Sequence, residues 1–302
     1  MKTIKTSNTS SNILPVENDN NVITSSENSS SKSNTQSAAN PSTQMQLMGL
    51  AKQFVIDGAL LPLEKQPPIE ERSKKRERIN HLRKQQNLEH IIQRAIKYCS
   101  DDEIADRADQ DWFNNFINLA EDVSNKTMQD LWAKILAGEI SSPGSFSLKS
   151  LQAFKTMSIN EAKLLAKACA IAIKDQSKKS MRIISGASQT PGLLNFFSKN
   201  REQRINLSPF GLSYAELLTL ADNHLIFIQE TETPPIASGE NISFSFNGIS
   251  LSLTANKNNS LLSFYKFTPI GTELAQLIAD NPEKKYLSLL KQEITGLFNV
   301  SY

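Results

Sequence analysis

The amino-acid sequence predicts a mainly α-helical N-terminal domain followed by an α+β C-terminal domain whose order of elements is compatible with a winged helix. Three observations predict this. Apolar residues keep helical spacing from Met45 to about Lys174; at Met128, Leu131, Trp132, Ile135 and Leu136 they lay one stripe of a helix against a core. The period then changes to alternation. Ile242, Phe244 and Phe246 precede Asn247-Gly248, and Ile249, Leu251 and Leu253 follow it, around a dipeptide suited to the positive φ angles of a type I′ hairpin turn. Finally, Ser158 with Glu161 and Ser213 with Glu216 are capping boxes, which satisfy orphan amides at a helix start.

In chain order, residues 1–43 are rich in Ser, Asn and Thr and are expected to form a disordered tail, because so few apolar groups cannot offset the entropy of ordering. Residues 44–68 hold a short apolar helix, with Leu47, Leu50, Ala51, Phe54, Gly58 and Leu61 at helical spacing, and then a connection broken by Pro62, Pro67 and Pro68. This stretch suits a membrane-surface or partner-binding helix, although a short helix docked on its own domain is the simpler expectation.

Residues 69–176 form the helical domain. It opens with one long helix from Glu70 to about Cys99, basic in its first half and amphipathic in its second, where Leu88, Ile91, Ile92, Ala95, Ile96 and Cys99 keep helical spacing. The acidic run from Asp101 to Asp111 lacks the glycine of a calcium loop and reads as capping and solvation. Asp111 to Ala120 is expected to be a helix burying Trp112, Phe113, Phe116 and Ile117; Trp112 and Trp132 are expected to pack across neighbouring helices, each with an acceptor for its indole N–H if buried. In the central stretch Ser124 suits an N-cap, Gly138 a C-terminal stop, Pro143-Gly144 a type II turn, and Ser147 the cap of the next helix. The helix opened by Ser158 is expected to reach about Lys174.

Residues 177–209 are basic and interrupted by Gly186, Pro191 and Gly192, which predicts a linker. Residues 210–302 are the α+β domain: a helix to about Ala221, a strand over Leu225–Gln229, the hairpin, a strand over Leu261–Phe267, a helix with Thr268 as N-cap and Pro269 at its first position, and a last helix after Pro282.

Together with Asp111, Trp112 and Phe116, the segments AEDVSN at Ala120–Asn125, LWAKILAGE at Leu131–Glu139 and PGSFS at Pro143–Ser147 resemble an uncharacterised bacterial protein family, a domain of unknown function. Its structural motif falls on Trp112, Phe116, Leu131, Trp132, Leu136, Gly138, Pro143 and Gly144, with Gln85–Ile92 as a second match, and the resemblance runs from about Gly49 to the C-terminus. It implies a cytoplasmic bacterial protein and supplies no catalytic residues to carry over. Phe267, Thr268, Gly271 and Leu274 also resemble the segment that follows the wing of a winged-helix module. In the place of a recognition helix, however, Tyr214–Ala221 offers no Lys, Arg, Asn or Gln to read base edges, so protein contacts suit that shape better.

No nucleotide-binding loop, nucleophile elbow or H-E-x-x-H zinc motif is present, and the three histidines, His81, His90 and His224, are dispersed. Cys99 and Cys169 have no metal-ligand spacing and are expected to be buried thiols, so no cofactor or metal is expected. No apolar run is long enough to span a membrane, and no secretory signal pattern opens the chain. The leading expectation is a non-enzymatic binding protein with a protein partner. Two alternatives stand beside it. One is a nucleic-acid-associated regulator or defence-type factor, whose candidate polyanion contacts are Arg72, Lys75, Arg76, Arg78, Arg83, Lys84, Lys178, Lys179 and Arg182. The other is an enzyme using carboxylates such as Glu121, Asp122 or Glu139 near the tryptophans. The net charge of +2 decides nothing between them; the local distribution of charge does.

Overall fold

The computed structural model describes residues 42–100, 107–175, 180–190 and 202–302. The N-terminal tail, most of the acidic run after Ser100, and Lys178 and Lys179 lie outside the described residues. Contacts divide the chain into a unit ending at Gln86 and a unit from Asn87 to Tyr302. The helices α1 (Thr43–Gln53), α2 (Ile69–Ile96), α3 (Gln110–Ala120), α4 (Lys126–Ser141), α5 (Leu148–Thr156) and α6 (Ile159–Ala170) come first, followed by an antiparallel sheet with further helices, which makes the protein α+β.

In the first unit, Ser42 caps α1 by accepting from the Met45 amide at 3.2 Å, and 3-10 turns at Asp57–Leu60 and Leu63–Lys65 lead to Pro67-Pro68 and α2. The Arg83 guanidinium lies 4.5 Å from the centre of the Phe54 ring, a cation–π contact that ties α2 to the end of α1. The stripe expected to dock does not do so: of the apolar residues on α1 only Ala51 is buried.

The second unit has one contiguous apolar core, from Ile91 on α2 to Val300 on the last strand. Its helical side is built on an aromatic ladder. Ring centroids lie 5.4 Å apart for Trp112–Phe116, 5.4 Å for Phe116–Trp132 and 5.3 Å for Trp132–Phe154, joining α3, α4 and α5. The Trp112 indole N–H donates to the Phe146 carbonyl at 2.6 Å. Trp132, enclosed by rings, has no acceptor among the described residues, contrary to expectation.

The strands are β1 (Ile173–Lys174), β2 (Met181–Gln189), β3 (Glu202–Arg204), β4 (Thr231–Glu232), β5 (Asn241–Phe246), β6 (Ile249–Ala255), β7 (Ser260–Lys266) and β8 (Phe298–Ser301). They pair in the order β4-β7-β2-β1-β5-β6-β8, with β3 also on β2. Asn247 at φ 45° and Gly248 at φ 85° make the expected turn between β5 and β6. That hairpin, assigned to a wing from sequence, is bordered by β1 on one side and β8 on the other. The remaining helices are α7 (Tyr214–Asp222), α8 (Pro269–Ala275) and α9 (Lys284–Glu293). α9 buries Tyr286, Leu287 and Leu290, and the Tyr286 hydroxyl donates to the Ile184 carbonyl at 2.7 Å, where a bulge interrupts the pairing of β2 with β7.

Several expectations are corrected. Residues 181–189 of the segment expected to be a linker form β2, an interior strand, because Met181, Ile183, Ile184 and Ala187 are buried. The helix opened by Ser158 ends at Ala170, since Ile173 and Lys174 pair with Arg182 and Met181. Residues 225–229 are not a strand: only Ile226 bridges to Phe267. Asn125, not Ser124, caps α4, accepting from Thr127 and Met128, while the Ser124 hydroxyl accepts from Asn87 at 3.2 Å. Cys169 is buried as expected but Cys99 is exposed, because it lies past the last turn of α2.

Candidate functional site

Three regions hold the residues that the sequence singles out. The first is the motif around α4, which turns out to be a closed structural device. Gly138 does not end the helix; α4 continues to Ser141, with Ser142 as C-cap. The glycine is there because a Cβ at this position would come within 2.9 Å of Cε2 of Phe146, whose ring packs against the helix. One residue on, buried Glu139 accepts from the Gly144 amide at 2.7 Å and the Phe146 amide at 2.9 Å, one through each carboxylate oxygen. Between them, Gly144 at φ 87° and the Ser145 amide donating to the Ser142 carbonyl at 3.1 Å complete the type II turn expected at Pro143-Gly144. Glu273 of α8 then accepts from the Ser147 amide at 2.7 Å and the Ser150 hydroxyl at 2.5 Å, so the start of α5 is held from the C-terminal half. Trp112, Phe116, Leu131, Trp132 and Leu136 line the same helices, Leu131 half-buried and the others buried.

The second region is the basic stretch. Lys75, Arg76 and Arg78, with neighbouring Lys74, are exposed on α2. Arg72 and Arg83 are half-buried and serve packing: the Arg72 side chain passes over Gly58, and Arg83 covers Phe54. Lys84 is half-buried too. Arg182 sits on β2, with its guanidinium 4.8 Å from the Phe264 ring centre and its Nε 3.4 Å from the Ser180 hydroxyl, beside a groove of about 330 Å³ whose apolar lining includes Pro234, Pro235, Ile236 and Phe244. Alongside the basic stretch, exposed large apolar side chains crowd the same unit. Ten of them fall between Met45 and Ile69, including Met45 at 66 %, Leu47 at 67 % and Leu63 at 88 % exposure.

The third region was not anticipated from sequence. An open cleft of about 460 Å³ is lined by His90, Gln93, Arg94, Lys97 and Tyr98 from the end of α2 and by Asp130 from α4. The Tyr98 hydroxyl donates to Asp130 at 2.6 Å, Lys134 pairs with Asp130 at 3.2 Å, and the Lys134 ammonium lies 5.3 Å from the Tyr98 ring centre. Burial, reinforced by the neighbouring carboxylate, pushes the Tyr98 phenol up to about 12. Burial works against the Asp130 carboxylate, but its bonds to Tyr98 and Lys134 outweigh it and the pKa is lowered.

A family model described as a protein of unknown function, DUF2806, matches residues 71–291. The chain belongs to that family. No curated protein and no solved structure matches it. The DUF2806 region takes in α2 through most of α9 and therefore the whole Glu139 and Glu273 arrangement, whereas α1 lies ahead of it. Among the described residues no group of three or more His, Cys, Asp and Glu side chains could hold a metal, and no helix is long and apolar enough to cross a membrane.

Sequence reasoning missed Glu273, whose partners lie more than a hundred positions away, and a buried amide pair. Gln129 donates to Asn87 at 3.2 Å and to the Val123 carbonyl at 2.9 Å, while Asn87 donates to the Glu121 carbonyl at 2.8 Å, so two side-chain amides read the loop before α4. The polar residues Asn87 and Gln129 at core-facing helical positions were the available signal.

Proposed function

We propose that this DUF2806 protein is a cytoplasmic binding protein that acts by docking rather than by catalysis, with a protein partner. Its contact surface is the segment from Met45 to Ile69 with the basic face of α2 beside it, and residues 87–302 are its scaffold. The observation that carries this reading is the crowding of ten exposed large apolar side chains into that one short segment, a density that residues 87–302 spread over their whole length. Lys74, Lys75, Arg76 and Arg78 next to it select a partner surface that is apolar at its centre and acidic at its rim. Glu139, one of the carboxylates offered for an active site, is occupied by two backbone amides, which weakens the enzyme reading.

The test is in-cell photo-crosslinking from position 47 in the native host, followed by affinity measurement with the captured protein. Leu47→Asp with Leu50→Asp is expected to weaken binding at least tenfold, since each buried leucine contributes about 1.5–3 kcal/mol. An affinity for the captured protein that is indifferent to these substitutions would refute the reading. The exposed row of Lys74, Lys75, Arg76 and Arg78 favours nucleic acid as a second reading. Anisotropy with labelled DNA and RNA, salt-dependent and abolished by Lys75→Glu, Arg76→Glu and Arg78→Glu, would replace the protein partner by a polyanion.

A further inference from the structure

We propose that the cleft between the end of α2 and α4 is a binding site for a phosphate group, held by Arg94 and Lys97 with His90 and Gln93 beside them. His90, Gln93 and Arg94 stand at i, i+3 and i+4 on one face of α2, and Lys97 follows in the turn just past its end; all four line the same opening. Among the described residues the one carboxylate in the lining is already committed: Asp130 accepts from Tyr98 at 2.6 Å and pairs with Lys134 at 3.2 Å. Lys97 is left without a side-chain hydrogen bond or ion pair among the described residues, and Arg94 has one long bond, to the Lys126 carbonyl at 3.3 Å. Among the described residues, the cleft therefore offers free donors and cationic charge, and no uncommitted carboxylate to repel an anion.

The wall is also set in advance. Lys134 bridges the Tyr98 ring and Asp130, which fixes the phenol edge of the opening. A volume of about 460 Å³ is that of a site for a small organic molecule, larger than a bare ion needs. These points select a phosphorylated small molecule over inorganic phosphate alone. Arginine supplies a planar fork for phosphate oxygens and lysine a point charge, and both bonds are charge-assisted. Cations also complement the negative end of a helix dipole, so Arg94 and Lys97 would be placed here for stability even without a ligand. That explanation predicts a stability change and no binding, which separates the two.

The experiment is isothermal titration calorimetry of the full chain at low ionic strength with pyrophosphate, AMP and a short single-stranded DNA, on the parent protein, Arg94→Gln, Lys97→Gln and, as a control, the exposed Lys149→Gln. Thermal stability is measured in parallel. The expected result is saturable binding of AMP that falls about tenfold in each cleft variant and is unchanged in Lys149→Gln. AMP binding with pyrophosphate ineffective would mean that the base is needed as well as the phosphate. DNA binding with AMP ineffective would assign the phosphate to a nucleic-acid backbone. Binding that Lys149→Gln weakens as much as Arg94→Gln, or no binding with stability alone altered, would overturn the proposal. These outcomes are independent of the docking segment, because neither Leu47 nor Leu50 is changed.

Discussion

Replacing Glu139 by Gln tests the central physical claim about the motif, that a buried carboxylate holds the turn after α4 through two backbone amides. The side chain is 3 % exposed, and its oxygens lie 2.7 Å from the Gly144 nitrogen and 2.9 Å from the Phe146 nitrogen. Glutamine keeps the shape but offers one acceptor; its NH₂ must face the other amide, so one charge-assisted bond is lost and a buried donor is left unpaired. The lost bond is worth about 1.5–3 kcal/mol and the unpaired amide about 1–3 kcal/mol. Against this, removing a negative charge from the last turn of a helix returns up to about 1 kcal/mol. The expected net loss is about 2–4 kcal/mol. With a urea m-value of about 2–3 kcal/mol/M for a chain of this size, the midpoint of urea unfolding followed by tryptophan fluorescence should fall by about 1 M without change in slope. Trp112 is a suitable reporter because its indole donates to the Phe146 carbonyl of the same turn. A midpoint within about 0.2 M of the parent would refute the assignment, since an unpaired amide donor in the turn would then carry no cost.

Gly138→Ala should destabilise by up to about 2 kcal/mol despite a helix-propensity gain of about 1 kcal/mol, because the new methyl meets the buried Phe146 ring at 2.9 Å; with Phe146→Leu beside it the penalty should shrink, a coupling read from a double-mutant cycle. Gly271→Ala should cost about 3 kcal/mol or more, seen as loss of soluble protein or a collapsed urea midpoint, because its methyl would run into the Leu225 carbonyl oxygen, which cannot rotate away. Stability should fall in alkali. Burial pushes the Cys169 thiol up to about 12 and raises the Tyr286 phenol, so the fold favours their protonated forms; that contribution is complete below the unfolded values near 9 and 10 and is lost as pH rises through the folded ones. Urea midpoints at pH 8 and pH 10.5 should therefore differ by a few kcal/mol in ΔG, and Cys169→Ala should reduce the difference.

Local signals were legible where one stretch of chain decides the outcome. Both capping boxes, the Asn247-Gly248 hairpin and the Thr268-Pro269 helix start form as the residues alone indicate, because each depends on partners within a few positions. The misreadings share a cause in distant contacts. Gly138 has the composition of a helix stop, yet the Phe146 ring eight residues on decides its role. Residues 181–189 have glycine, serine and an arginine, which suggest a linker, but Arg182 lays its guanidinium on Phe264 and the rest of the strand pairs with β7. The cleft was illegible for the same reason: His90 to Lys97 read only as part of an amphipathic helix, and the opening exists once Asp130 of α4 is placed against Tyr98.

The family resemblance and the functional question therefore concern different parts of the chain. The most distinctive words of the sequence, LWAKILAGE and PGSFS, contain Glu139, Gly144 and Phe146; the Glu139 carboxylate is filled by the Gly144 and Phe146 amides, and the Ser147 amide by Glu273. A side chain whose hydrogen bonds are filled within the fold has none left to offer a partner, so this motif explains how the helical half is built and joined to α8. The surface groups open to a partner are elsewhere. The ten apolar side chains from Met45 to Ile69 end before the DUF2806 match begins at residue 71, and Lys97 stands in the cleft without an ion pair among the described residues. Membership of the family thus accounts for the scaffold, and the activity is to be sought by changing Leu47, Leu50, Arg94 and Lys97, whose loss leaves every bond of the motif in place.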